Sequence, residues 1–413
     1  MRLGSSHIQT RLVTPPCVGV QIRYTRRPMA NVFVAKECAS GETRVAATPE
    51  TVKKLVKDGL SVTVEAGLGL GAHIADQEYE AAGATITSDA KAAWQQADLV
   101  LKVSPPTQND TLGADECALL KAGAILVSHI WTTKNLPLVK SLMERQVSCL
   151  AMELIPRISR AQVMDSLSSQ ANIAGYKAVL LAAATLDKYF PLLMTAAGTV
   201  QPARVVIMGA GVAGLQAIAT ARRLGAVVEV SDIRPAVKEQ VESLGGKFID
   251  LPELEGGEDS GGYAKEVTKE FLEKQQAIVR ERVILADVVI TTAQVPGRRA
   301  PLLVKEEVVK EMRDGAVIVD LAADSGGNCE CTEAGQVVVK HGVHILGYSD
   351  LPNSMPLDAS ALYARNIYAL IKLLNNKGEL SLDLEDEIIK GALLTHNGEL
   401  RHAPTKDLLA GGA

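Results

Sequence analysis

The chain has 413 residues, 43 Lys and Arg against 48 Asp and Glu, and a net charge of −5. That length admits two domains with cores of their own, and the charge balance, with no long basic block, argues against nucleic acid as a partner. Hydrophobic residues make up 47% but aromatics only 3%, so Ala, Val, Leu and Gly carry the packing, as they do where helices cover buried parallel strands.

Residues 1–28 carry Arg2, Arg11, Arg23, Arg26 and Arg27 and no acid. The composition is that of a transit peptide. The plainer reading is an extension ahead of a start at Met29, because Met29-Ala30-Asn31 leads straight into a strand. Residues 32–35 form that first short strand. Thr48 as N-cap and Pro49 at the first helical position open a helix that continues through residues 50–58. Residues 61–65 alternate as a second strand and end in a loop at Gly67, Gly69 and Gly71. Residues 98–103, 124–128 and 147–152 are apolar runs of strand length with helical stretches between them. This alternation predicts a parallel, doubly wound sheet.

A polar stretch follows, residues 156–170, with Arg157, Arg160, Gln162, Asp165, Ser168, Ser169 and Gln170. It is too polar for a core strand and too charged for an idle linker. A long helix is expected over residues 171–190, before Pro191. The second unit opens with an apolar strand over 204–208, then Gly209-Ala-Gly-Val-Ala-Gly214, then a helix over 215–224 that Gly225 ends. Residues 227–230 form the next strand, and Asp232 stands just past its end. Residues 253–263 are acidic and Gly-rich, the composition of a mobile loop. Residues 283–291, 316–321 and 343–346 read as further parallel strands, and a helix over 358–374 as a return onto the first unit. The tail after Lys377 reads as an appendage.

The 6 cysteines, Cys17, Cys38, Cys117, Cys149, Cys329 and Cys331, contain no C-x-x-C pair. No metal site or redox disulfide is therefore expected, and reduced thiols suit a cytosol-like compartment. The most apolar run, residues 178–186, is broken by Asp187 and Lys188. It falls short of the roughly 20 residues a membrane span needs.

The motif Gly209-x-Gly211-x-x-Gly214 is weak alone. Here it has a strand before it, a helix after it and an acid beyond the next strand. Gly209 permits the tight turn, Gly211 lets the backbone approach a pyrophosphate, and Gly214 lets helix and strand pack closely. The helix N-terminus turns free N–H groups and a positive dipole end toward the phosphates. Asp232 suits the adenosine ribose hydroxyls and repels a 2′-phosphate, which favours NAD(H) over NADP(H); Arg234, two residues on, pulls the other way. The reading is an α/β chain of two doubly wound parallel-sheet (Rossmann-like) domains with a cleft between them. The first domain takes residues 29–167 plus 350–377, the NAD-binding domain residues 168–349, and the tail residues 378–413.

With these residues in place, the chain resembles the NAD(H)-binding component of proton-translocating nicotinamide nucleotide transhydrogenase, from Met29 to about Asn375. The most specific piece is Pro156-Arg-Ile-Ser-Arg-Ala-Gln-Val-Met-Asp-Ser-Leu-Ser-Ser-Gln170, similar to that family's loop named for its Arg, Gln and Asp. The resemblance implies that Arg157, Gln162 and Asp165 contact the nicotinamide ribose and carboxamide, with Ser168 close by. It places Val212, Asp232 and Arg234 on the adenosine side, Gly262 and Tyr263 on a loop that closes over the nucleotide, and Gln275 at a further contact. Gln294 stands where the family pattern has an aliphatic residue. The resemblance further implies a homodimer whose nicotinamide faces NADP(H) on a partner subunit. A separate polypeptide then spans the membrane, and this chain is cytoplasmic, peripheral to a bacterial inner membrane.

The first domain also resembles alanine dehydrogenase. The shared residues are Arg44 in Glu42-Thr-Arg-Val-Ala, Lys102 in Leu101-Lys-Val, His129 in Val127-Ser-His and Asp324 in Leu321-Ala-Ala-Asp. In that enzyme the matching residues bind a substrate carboxylate and run acid–base chemistry at an amino carbon. The alternative is inherited scaffold, with Arg44 and Lys102 in internal ion pairs and His129 a satisfied core histidine.

Overall fold

The computed structural model describes residues 29–250, 269–294 and 299–411. Strand β1 (Asn31–Val34) buries Val32, Phe33 and Val34 completely, as a strand does where helices cover both faces of its sheet. β2 (Ser61–Glu65) and β3 (Thr85–Thr87) extend the sheet on one side in parallel. β4 (Leu99–Leu101), β5 (Ile125–Ser128) and β6 (Ser148–Ala151) extend it on the other, also in parallel. Strand order therefore reverses between β1 and β4. Helix α1 (Pro49–Lys57) begins at Thr48, whose N–H donates to Thr51 Oγ1 at 2.9 Å.

Helix α2 (Ser166–Thr185) carries the chain from the first sheet to the second. It starts and stops five residues earlier than the apolar pattern suggests. Asp165 caps it, accepting the Ser168 N–H at 2.9 Å, so part of the polar stretch is itself the first helical turn. A short hairpin follows, β7 (Leu193–Thr195) with β8 (Gly198–Val200).

β9 (Arg204–Met208) feeds through the Gly-rich turn into α3 (Val212–Arg223), which ends before Gly225 at φ 89°. β10 (Val227–Ser231) and β11 (Lys247–Phe248) lie on one side of β9. β12 (Val288–Thr291) and β13 (Val317–Asp320) lie on the other, all parallel. β14 (Val337–Lys340) and β15 (Val343–Leu346) complete the 7-stranded sheet, in the order β11-β10-β9-β12-β13-β15-β14. β14 alone runs antiparallel, against β15. The run 283–291 is not one strand: Val283 and Ile284 are the last residues of the helix Lys269–Ile284. Val283 in the helix and Val288, Val289 and Ile290 in the strand are alike buried, and so short a mostly apolar run cannot tell helix from strand.

Helix α4 (Pro356–Leu374) returns to the first domain, where the Tyr363 hydroxyl donates to the Lys102 carbonyl at 3.0 Å. The segment after 377 is no appendage. β16 (Leu393–His396) pairs antiparallel with β6 and turns back into β17 (Glu399–Leu400). The first sheet thus has 8 strands, in the order β17-β16-β6-β5-β4-β1-β2-β3. The acids at 383–387 mask this from the sequence, whereas Ile388, Ile389, Leu393 and Leu394 are buried and cover an otherwise open sheet edge.

Candidate functional site

A cleft of about 1760 Å³ lies between the two domains, at the carboxyl ends of their strands, where ligands of doubly wound sheets sit. The turn after β9 forms one stretch of its wall. Gly209 takes φ 108°, and a Cβ there would lie 2.4 Å from Thr292 Oγ1. A Cβ on Gly214 would lie 1.9 Å from the Gly209 carbonyl oxygen. Both glycines answer to packing. Gly211 does not: a Cβ there would meet nothing within 4 Å, and it faces the cleft at the start of α3, which no side chain caps. An uncapped helix N-terminus beside open space fits a diphosphate. Val212 lines the same wall and is half-exposed.

Asp232 closes one end of this wall. Its Oδ2 accepts the Ala210 N–H at 2.7 Å and Arg234 Nη2 at 2.9 Å, and Oδ1 accepts the Arg234 N–H at 2.8 Å and Nε at 3.0 Å. Burial works to raise the carboxyl pKa, but Arg234 and the two N–H groups hold it below the ordinary value.

At the other end, residues 156–170 fold as a turn, a 3-10 helix (Ser159–Met164) and the first turn of α2. Ala161 and Met164 anchor it by burial. Arg157 and Gln162 are exposed, and with Asp165 and Ser168 they line the cleft. Ser168 donates its N–H to Asp165 Oδ1 and its hydroxyl to Oδ2, at 2.9 and 2.6 Å. Each carboxylate oxygen keeps a second acceptor position. Arg160 turns away and pairs with Asp386 at 2.7 Å.

Gln294 lines the cleft and donates from Nε2 to the Leu321 carbonyl at 2.6 Å. Gln275 falls within the helix Lys269–Ile284. Gly262, Tyr263 and residues 295–298 lie outside the described residues, as does the extension 1–28.

The residues shared with alanine dehydrogenase are already engaged. Arg44 donates from Nε and Nη2 to Glu42 at 2.8 and 2.7 Å, from Nη2 to Asp350 at 2.6 Å and from Nη1 to Gln170 at 3.0 Å. Lys102 is wholly buried between Glu37 and Glu116, at 3.2 and 3.0 Å. Burial, with the Arg44 charge adding to it, pushes the His129 pKa down to about 3, so the ring is neutral. Its Nε2 lies 3.0 Å from Ser166 Oγ, and the ring stacks on Trp131. Asp324 accepts the Ser349 hydroxyl at 2.5 Å.

Sequence reasoning missed the support beneath the cleft. Buried Asp320 accepts Thr291 Oγ1 and the Ala322 N–H on Oδ1, and the N–H groups of Asn328 and Cys329 with Thr332 Oγ1 on Oδ2. Asn328 in turn donates from Nδ2 to the carbonyls of Ala293 and Pro301. The available signal was an acid closing the apolar strand Val317–Asp320. Among the described residues, no group of His, Cys, Asp and Glu suits a metal ion, and no helix is long and apolar enough to cross a membrane.

Comparison with known proteins places this geometry. Residues 33–174 match the model of the alanine dehydrogenase/PNT N-terminal domain, and residues 178–403 that of its C-terminal domain. In Rhodospirillum rubrum, the polypeptide named as the first portion of NAD(P) transhydrogenase subunit alpha is 50% identical over 375 residues, 90% of this chain and 97% of that one. An alanine dehydrogenase of Staphylococcus saprophyticus is 30% identical over 92% of this chain and 96% of its own. Among solved structures, a transhydrogenase from Sinorhizobium meliloti superposes with TM-score 0.80 at 46% identity, covering 90% of this chain and 99% of that one. An L-alanine dehydrogenase gives 0.77 at 29% identity, covering 93% and 100%.

Proposed function

The chain belongs to the alanine dehydrogenase/PNT family, and from that premise we propose that it is the NAD(H)-binding subunit of a proton-translocating NAD(P) transhydrogenase, passing hydride from NADH to NADP+ held by a partner subunit. The observation that carries this reading is a division of labour in the cleft. The would-be carboxylate and acid–base set, Arg44, Lys102 and His129, is bound internally. Arg44 and His129 reach the cleft only as members of those internal contacts, whereas the 156–170 segment brings exposed Arg157 and Gln162, with Asp165 and Ser168, to its wall. The 50% identity to the R. rubrum subunit, against 30% to the alanine dehydrogenase, supports the same choice.

The bound nicotinamide supplies the hydride chemistry. Hydride exchange between two such rings adds no proton to a heteroatom and removes none, so the chain needs no general acid or base. Its task is to hold the two carbons about 3–3.5 Å apart and aligned. In this reading Gly209, Gly211, Val212 and Gly214 seat the diphosphate, and Asp232 and Arg234 take the adenosine ribose. Gln162 and Asp165 orient the carboxamide and ribose at the redox end, with Ser168 bracing Asp165, and Arg157 steadies the loop. Gln275 and Gln294 add contacts, and Gly262 and Tyr263 close over the nucleotide.

Proton pumping and the membrane span belong to partner polypeptides. The chain acts as a homodimer, cytoplasmic and peripheral to a bacterial inner membrane through those partners. The R. rubrum relative is itself named as one portion of a divided alpha subunit, which supports this arrangement.

The test uses the full chain. Mixed with an NADP(H)-binding transhydrogenase component, NADH and an NADP+ analogue, it exchanges hydride; mixed with NAD+ and L-alanine alone, it does not. Robust alanine oxidation without a partner overturns the proposal.

A further inference from the structure

We propose that Trp131 is a further wall of the dinucleotide site: a flat aromatic platform against which the nicotinamide ring lies. This rests on the NAD(H) reading of the cleft and adds a contact to it.

The fold alone does not account for this residue. Trp131 follows β5 at the carboxyl end of the first sheet and lines the cleft with His129, Asp165 and Ser168. Its φ is 53°, in the left-handed region that glycine fills without strain and a bulky side chain rarely enters. Such a conformation persists where the surroundings over-determine it, and it concentrates at functional sites.

Here the backbone is held from beneath. The Glu153 carboxylate accepts the Trp131 N–H at 2.6 Å and the Ile130 N–H at 3.2 and 3.1 Å, and Asn135 Nδ2 donates to the Ile130 carbonyl at 2.7 Å. None of these bonds uses the indole. A glycine would satisfy the same turn, so the turn gives no reason for the largest side chain at this position.

The ring is also aimed. One face stacks on His129, with centroids 4.9 Å apart and planes at 17°. His129 leans on Tyr363 at 5.1 Å and 37°, and bonds Ser166, the first residue of α2. Trp131 is thus backed by two rings, and its orientation is coupled to the helix that Asp165 caps. Yet the residue stays 42% exposed. A pre-oriented aromatic face beside polar carboxamide partners suits a planar heteroaromatic ring, which stacks on it offset or edge-on.

The test is optical and needs no turnover. The chain has 2 tryptophans, and Trp94 is fully buried in the first-domain core, so Trp131 dominates any change caused in the cleft. Titration of the full chain with NADH should quench tryptophan emission, whereas ADP-ribose, which lacks the nicotinamide, should not. Trp131→Gly keeps the turn and removes the platform. It should abolish the quench and raise the Kd for NADH about fivefold, with that for ADP-ribose unchanged. Trp131→Phe should stay within about twofold of the unaltered chain.

Unchanged NADH affinity in Trp131→Gly, or an equal loss of ADP-ribose binding, overturns the proposal while leaving the dinucleotide site in place. Failure of the unaltered chain to bind either nucleotide overturns the reading beneath it as well.

Discussion

Arg234 folds back onto Asp232, donating Nε to one carboxylate oxygen at 3.0 Å and Nη2 to the other at 2.9 Å. With the N–H groups of Ala210 and Arg234 added, each oxygen carries two donors, which fills the acceptor positions of a carboxylate. A ribose diol reaches Asp232 only if the guanidinium swings aside. The pair is also neutral overall, so repulsion of a 2′-phosphate by Asp232 is largely cancelled while the two are joined.

In the NAD(H) reading, this pairing makes Arg234 the group that tunes the preference for NADH. Arg234→Ala should change the Kd for NADH by less than about threefold, because the ribose loses one partner while Asp232 is left with only its two N–H donors and an open acceptor position on each oxygen. NADPH should weaken about tenfold, having lost the group that accommodates its phosphate. Asp232→Asn should narrow the gap between the two nucleotides. Calorimetric titration of the three proteins checks this, and an NADPH affinity indifferent to Arg234→Ala removes the arginine from the account.

The loop 156–170 is assigned to positioning, which predicts a split between binding and rate. Gln162→Ala and Arg157→Ala should slow hydride exchange about 100-fold, as small misplacements of reacting atoms do, with NADH affinity nearly unchanged. Asp165→Asn should do the same at nearly unchanged stability, because Asn caps a helix as well as Asp, whereas Asp165→Ala should also lower stability by about 1 kcal/mol. Stopped-flow exchange beside equilibrium titration separates the two effects. Parallel losses in both would assign the loop to binding alone.

His129 yields a pH signature. Burial lowers its folded pKa to about 3, against about 6.5 in the unfolded chain. Between these values the unfolded chain binds a proton that the folded chain does not, so stability falls as pH drops through that window and is fully regained above it. The loss at pH 5 should be about 2 kcal/mol relative to pH 8. His129→Asn should flatten this slope in urea unfolding midpoints. Hydride exchange should show no limb near pH 6.5, since the ring stays neutral; a limb that His129→Asn abolishes would restore an acid–base role.

Much of this was legible in the sequence, and the reasons differ by region. The turn Gly209–Gly214 could be read because its glycines answer to local geometry, a positive φ and a close approach, which spacing encodes. Residues 156–170 could be read as lying outside the core because their polarity conflicts with burial, and several of them line the cleft. That Arg44 and Lys102 sit in internal ion pairs was one of the two readings, but their partners, Asp350 and Gln170 for the one and Glu37 and Glu116 for the other, could not be read. Those partners are brought together by the return of α4 and by neighbouring strand ends, and no spacing records such long-range contacts. β16 was hidden for a related reason: its partner is β6, far away in sequence.

Two glycines test whether the cradle is a matter of packing or of ligand. Gly175 lies on α2, against the start of α3, and Gly211 immediately precedes α3. A Cβ on Gly175 would sit 2.0 Å from the Ala213 carbonyl oxygen, which is backbone and cannot turn away. A Cβ on Gly211 would meet nothing. Gly175→Ala should therefore lower stability by about 1–3 kcal/mol as α2 and α3 are forced apart, and weaken nucleotide binding only as a consequence. Gly211→Ala should leave the melting temperature unaltered and still weaken NADH at least about tenfold, because the methyl occupies the approach to the helix N-terminus. The contrast is read from thermal unfolding beside NADH titration. A Gly211→Ala protein that binds NADH normally would move the diphosphate away from this turn, whatever Gly175→Ala does.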